Sequence, residues 1–172
     1  MPLKPNFKEA KRIRKNIGNH GLYLSGELFL SPAYLTLNDS SLKLLFMFSL
    51  EAKYHIVKGM KHYKENGQIG FSETKYRKLF YCASQTYYNA RDQLITNGFI
   101  IQTVQGGYKP GDYAKYKLLF LPDVPERHQR WRYFPDKTYE KDIPKRKLSS
   151  LGEKTRFKAG IANRKVKTTL KK

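Results

Sequence analysis

The chain has 172 residues, with 34 Lys and Arg against 14 Asp and Glu, for a formal net charge of +20. That length suits one domain of ordinary size plus tails, and such a field favours anionic partners, nucleic acid before an anionic membrane surface. Cys82 is the single cysteine, which excludes an intrachain disulfide and fits a reducing compartment. No apolar run nears the roughly 20 residues of a membrane span, and no signal-peptide core follows the basic start. The expectation is therefore a cytoplasmic protein, nucleoid-associated and not bound to a membrane.

The charge is uneven. Before Asn16 stand Lys4, Lys8, Lys11, Arg12, Arg14 and Lys15 against Glu9, and after Pro144 eleven basic residues face only Glu153. The two ends thus carry +5 and +10, leaving +5 for the middle. Three segments follow: a basic arm over 1–21, a domain with a C-terminal extension over 22–134, and a basic, largely disordered tail over 135–172. In the arm, Phe7, Ile13 and Ile17 have the near-helical spacing of one apolar face, but a disordered arm that counters phosphate charge is the preferred reading.

Leu22 to Leu37 is a short apolar approach segment interrupted by Pro32, with Tyr34, Leu35 and Leu37 as anchors onto a core. Asn38-Asp39-Ser40-Ser41 supplies capping oxygens for a helix that follows. That helix carries Leu42, Leu45, Phe46 and Ser49 on one stripe with Leu44, Met47 and Phe48 beside them, so it is a central helix ending near Lys53. From Lys53 to Gly67 the pattern is ambiguous between an extended hairpin arm and a continuation of the helix with a break near Gly59, and the latter is preferred. His55 and His62 lack a cysteine or carboxylate at ligand spacing and do not make a metal site.

Gln68 to Phe71 is a short β segment, and Ser72 is the N-cap of a helix to Phe80 that turns Tyr76, Leu79 and Phe80 inward. Tyr81-Cys82-Ala83 is a tight turn. A second helix starts near Ser84 and is anchored by Tyr87, Ala90 and Leu94, with Arg91 laying its stem on the edge and its charge outside. Asn97-Gly98 stops it, with Gly98 left-handed. Phe99–Val104 and Tyr113–Leu121 are strands joined by a Gly- and Pro-rich loop, and they alternate as a half-exposed ribbon. Trp131, Tyr133 and Phe134 are expected to tuck back onto the domain, with a surface for a partner as the alternative.

Two helices at a steep angle followed by a ribbon present one helix edge to a major groove and flank it with phosphate contacts. The base-contacting candidates are Ser84, Gln85, Thr86, Tyr88 and Asn89, since Gln and Asn can bond adenine bidentately. The backbone or wing candidates are Lys75, Arg77, Lys78, Arg91, Lys109, Lys115 and Lys117, which hold register without reading sequence.

The stretch SETKYRKLFYCASQTYYNARDQLITNGFI followed by GGYKPGDYAKYKL resembles the winged helix-turn-helix domains of bacterial and mobile-element proteins. LFLSPAYLTLNDSSLKLLF is similar to the lead-in of those domains, so the resemblance covers about Leu22 to Arg132. It implies an α+β fold, mainly helical, a winged helix-turn-helix with a small antiparallel β-wing and basic disordered tails. It also implies duplex DNA as partner, in transcription regulation or in replication and maintenance of a plasmid or other mobile element. Two features depart from the pattern: the second helix carries little positive charge, and an outward Asp92 would repel phosphate.

RNA is the second partner class, since the basic tails and thirteen tyrosines suit unpaired bases. A protein-docking role for the winged helix is the third reading, and a homodimer is one open oligomeric state. No phosphate loop of Walker spacing, metal-ligand cluster or nucleophile elbow is present, so neither an enzyme nor a cofactor is expected.

Overall fold

The computed structural model describes residues 24–57, 60–63, 65–106 and 112–144. The arm over 1–21, the segment after Pro144 and Lys109 lie outside the described residues. Within them the chain is a mixed α+β fold. In order come α1 (Gly26–Phe29), α2 (Pro32–Leu35), α3 (Asp39–Glu51), β1 (His55–Val57), β2 (Met60–His62), α4 (Glu73–Phe80), α5 (Ser84–Thr96), β3 (Ile100–Val104) and β4 (Lys115–Leu118), then three short 3-10 turns over Glu126–His128, Arg130–Tyr133 and Glu140–Asp142. The strands form two separate antiparallel pairs, β1 with β2 and β3 with β4.

The approach segment is not extended but makes two single helical turns. Ser25 and Ser31 accept from the Leu28 and Tyr34 N–H groups, both at 3.2 Å, satisfying donors that a one-turn helix cannot bond itself. Pro32 stands in the first turn of α2, where its missing N–H costs nothing, so it starts a helix instead of interrupting a run. Leu28, Ala33 and Leu37 are buried by these turns. Leu35, expected as an anchor, points to solvent.

Asn38 caps α3 through the Ser41 N–H at 2.8 Å. Leu44, Leu45, Met47 and Phe48 are all buried, so the helix is packed on more than one side. The preferred helical continuation is overturned: α3 stops at Glu51, and β1–β2 form an antiparallel hairpin with His55 opposite His62. Aromatic and β-branched residues favour a pleated strand over a helix here. Tertiary contacts anchor it too: the Tyr54 and Tyr63 rings lie 5.9 Å apart, and the Tyr63 N–H donates to the Asp123 carboxylate at 2.9 Å.

Ser72 caps α4 by accepting from the Lys75 N–H. The turn after α4 is closed by Tyr81 in the left-handed region (φ 51°, ψ 47°), a conformation unusual for a side chain with a Cβ. α5 ends in a Schellman pattern: Gly98 at φ +79° donates to Ile95, and the Phe99 N–H reaches back to Leu94 at 2.9 Å. α5 lies against α3, where the Ser41 hydroxyl donates to the Ala90 carbonyl, and it buries Tyr87, Ala90, Leu94 and Ile95. The Gln93 amide joins this packing to α2: it accepts from the Asn38 N–H and the Ser41 hydroxyl and donates to the Thr36 carbonyl.

β3 and β4 pair from Ile100 opposite Leu118 to Val104 opposite Lys115, with an irregularity between Gln102 and Val104. Ile69 adds a bridge to Tyr116 on the other edge of β4, and the Asn66 side chain both donates to and accepts from the Leu118 backbone. Phe120, Leu121, Val124 and Trp131 then extend the core. Residues 135–144, assigned to the basic tail from sequence, fold back onto α5 instead. The Tyr139 N–H donates to the Thr96 carbonyl at 3.1 Å, while Arg130 stacks on the Tyr139 ring and pairs with Asp142.

Candidate nucleic-acid interface

α5 has an inner face and a short outer edge. Gln85 and Asn89 stand exposed one turn apart on its first two turns, and their side-chain amides bond each other at 2.5 Å. Spacing of i and i+4 brings them together on a helix, so both offer amide groups at one place. Thr86 and Tyr88 are half-buried beside them, Tyr88 set edge-on against Tyr87 at 5.4 Å.

Ser84 is less available than its position suggests. Its hydroxyl donates to Glu73 at 2.7 Å, and the same carboxylate takes Arg77 from one turn along α4 at 3.2 Å. The N-cap position of α5 is Ala83, which supplies no side-chain acceptor. Glu73 therefore brings the nearest carboxylate to the positive end of α5, where the helix dipole favours an anion.

On α4, Lys75, Arg77 and Lys78 are all exposed. Lys75 lies 3.7 Å from Glu51 and above the Phe71 ring, and Arg77 also donates to the Cys82 carbonyl at 3.4 Å. Lys43, which sequence reasoning passed over as part of an apolar helix, adds a fourth cation here, its ammonium 5.8 Å from the centre of the Phe80 ring. Its signal was a lone charge within a run of apolar residues, the mark of a solvent-facing position. On the ribbon, Lys115 donates to Gln68 at 2.7 Å and Lys117 is half-exposed opposite Ile101.

Arg91 is the clear correction. It was expected to place its charge outside, yet the residue is 6% exposed. Its guanidinium donates twice to Asp92, at 2.8 Å and 2.5 Å, and stacks on the Tyr88 ring at 5.0 Å. Asp92 is half-buried and its charge is paired with that guanidinium, so it is not the unpaired, phosphate-repelling carboxylate that its position suggested. Burial opposes the charge on Arg91, while the Asp92 bonds and the neighbouring Tyr116 hold the guanidinium above its ordinary pKa. Tyr116 and Tyr87 beside it are pushed up, mainly by burial, and Tyr87 donates to the Phe71 carbonyl at 2.8 Å. The cluster ties the middle of α5 to β4.

Cys82 sits half-buried in the turn. Burial pushes its thiol up despite the nearby Arg77 and Lys43, which keeps it protonated and poor as a nucleophile. Among the described residues no group of three or more His, Cys, Asp or Glu could hold a metal ion, and no helix is long and apolar enough to cross a membrane.

The arrangement brings amide donors and acceptors to one helix edge, with cations on the preceding helix and on the ribbon. Comparison with protein-family models, curated proteins and solved structures returned no match to this chain.

Proposed function

We propose that the chain is a non-enzymatic protein that docks on duplex DNA through a winged helix-turn-helix. It would act as a transcription regulator or as a replication or maintenance factor of a mobile element. The observation that carries this reading is the exposed Gln85–Asn89 pair on the first two turns of α5, beside exposed Lys75, Arg77 and Lys78 on α4. An amide can satisfy both the donor and the acceptor that adenine shows in the major groove, and cations beside it neutralise the flanking phosphates. The β3–β4 ribbon is the wing of this reading, and Lys115 and Lys117 are its contacts. Arg91 has no part in it, being spent inside the fold.

The test is duplex binding by the full chain across a salt series, first with random duplexes and then with any enriched sequence. Affinity should fall steeply with salt, with a slope of roughly 0.9 per neutralised phosphate. Alanine at Gln85 or Asn89 should cost about 1–3 kcal/mol on the enriched sequence and little on random DNA. Alanine at Lys75 or Lys78 should weaken both equally and flatten the salt slope. Salt-indifferent binding, or single-stranded RNA outcompeting duplex DNA, would overturn the proposal.

A further inference from the structure

α4 and α5 end differently. α5 stops at Gly98 with φ +79°, and glycine enters the left-handed region without steric cost. α4 is closed by Tyr81 in the same region, at φ 51° and ψ 47°. Among the described residues Tyr81 is the single non-glycine residue with positive φ. A Cβ makes that conformation about ten-fold less populated than the right-handed one. Tyrosine thus stands where glycine or asparagine would serve the turn better.

The surrounding structure holds it there. The Tyr81 N–H donates to the Arg77 carbonyl at 2.9 Å, and the Arg77 Nε returns to the Cys82 carbonyl at 3.4 Å. Arg77 is fixed in turn by Glu73, which also takes the Ser84 hydroxyl, so the backbone on both sides of Tyr81 is tied down. Yet the residue stays 42% exposed. A costly backbone conformation that holds a large side chain at the surface is not explained by core packing, and such residues gather where a site must present a group.

The neighbours say what that group meets. Arg77 and Lys78 are exposed in the last turn of α4, Gln85 is exposed in the first turn of α5, and Tyr81 lies between them in the chain. Lys43 adds its ammonium 5.8 Å from the ring of the adjacent Phe80. Cations on this side draw phosphate, and a phenol hydroxyl is an uncharged donor to a phosphate oxygen. We propose that Tyr81 contacts the backbone of duplex DNA: its hydroxyl donates to a phosphate next to the entry of α5 into the groove. This rests on duplex docking through α4 and α5, and it adds a contact that reads no base and releases no counterion.

Duplex binding by the full chain, across a salt series and on random and enriched duplexes, tests it beside urea unfolding. Tyr81→Phe keeps the ring and the backbone preference and removes only the hydroxyl. Its urea midpoint should match the parent, and both duplexes should bind about ten-fold more weakly, as for a lost bond to a charged group. The salt slope should stay that of the parent chain, whereas Lys78→Ala flattens it. Tyr81→Asn tolerates the left-handed backbone, so its midpoint should hold or rise while its binding falls as far as that of Tyr81→Phe. Unchanged binding by Tyr81→Phe, with Lys78→Ala weakened, overturns the inference and leaves duplex docking standing. A loss confined to the enriched duplex also overturns it, since that marks a base contact. So does a lower midpoint in Tyr81→Phe, which assigns the hydroxyl to the fold. A parent chain that binds no duplex at low salt removes both the inference and the docking it rests on.

Discussion

The substitution Asp92→Asn separates two accounts of α5. If Asp92 faces a groove, removing its charge strengthens DNA binding and leaves the fold alone. The structure puts it against a buried guanidinium instead, at 2.5 Å and 2.8 Å, with Arg91 side-chain exposure of 7% and Asp92 of 25%. Breaking a fully buried pair costs about 3–5 kcal/mol, because the charge left behind is uncompensated. Asp92 keeps contact with water, and the asparagine oxygen can still accept one bond, so about 2–3 kcal/mol is expected. For a domain of this size that lowers Tm by on the order of 10 °C. Urea unfolding should show a lower midpoint at unchanged slope. Arg91→Met in the same background removes the stranded charge and fills the space, and should recover most of the loss. If Asp92→Asn changes stability by less than about 0.5 kcal/mol and tightens duplex binding, the buried-pair account is wrong.

Other positions give expectations of the same kind. Gly98→Ala should lose roughly 2 kcal/mol or more in urea unfolding, since a Cβ would stand 2.7 Å from the Arg130 backbone at φ +79°. Stability should fall as pH rises above about 10, the ordinary tyrosine value: Tyr76, Tyr87 and Tyr116 are held neutral by burial, whereas the unfolded chain releases those protons. Each lowers stability by up to about 1.4 kcal/mol per pH unit between the ordinary tyrosine value and its own raised one, and by nothing below, so tyrosinate absorbance from these three should lag behind that of the exposed tyrosines. Glu73→Gln should raise duplex affinity a few-fold while lowering stability by about 0.5 kcal/mol, because it frees Arg77 and weakens the first turn of α4. A weaker complex from this variant would show that Glu73 positions Arg77 for its contact.

Local chemistry made much of the fold legible. Asn38, Ser72 and Gly98 act at helix ends where their side chains or backbone freedom are needed, and the apolar stripes of α3 and α5 set which faces meet. The failures share a cause in longer-range or irregular pairing. Neighbouring residues on a helix do not normally face each other, so nothing in the spacing announces that Arg91 folds back onto Asp92. The seven-residue gap between His55 and His62 reads equally as two helical turns or as opposed positions in a tight hairpin, and the Tyr63 bond to Asp123 that favours the hairpin comes from sixty residues away. Residues 135–144 look like tail by charge, yet Arg130 supplies both a stacking surface for Tyr139 and a partner for Asp142.

The internal pairing of cations also decides which of them can serve a nucleic acid. An exposed ion pair is worth at most about 1 kcal/mol, so phosphate can draw Lys75 from Glu51 or Arg77 from Glu73 at small cost. Arg91 cannot be drawn out, because leaving Asp92 would mean dismantling the packing of Tyr88 and Tyr116 around it. The domain thus offers a small set of movable cations around a neutral amide edge, while three quarters of the net charge sits in the arm and the segment after Pro144. Under the DNA reading, affinity and its salt dependence belong mainly to those ends, and discrimination between sequences belongs to Gln85 and Asn89. Those two amides already bond each other, so a base edge gains only the difference between its own bonds and the one it displaces. Under the DNA reading, the loss on replacing either amide therefore falls at the lower end of about 1–3 kcal/mol.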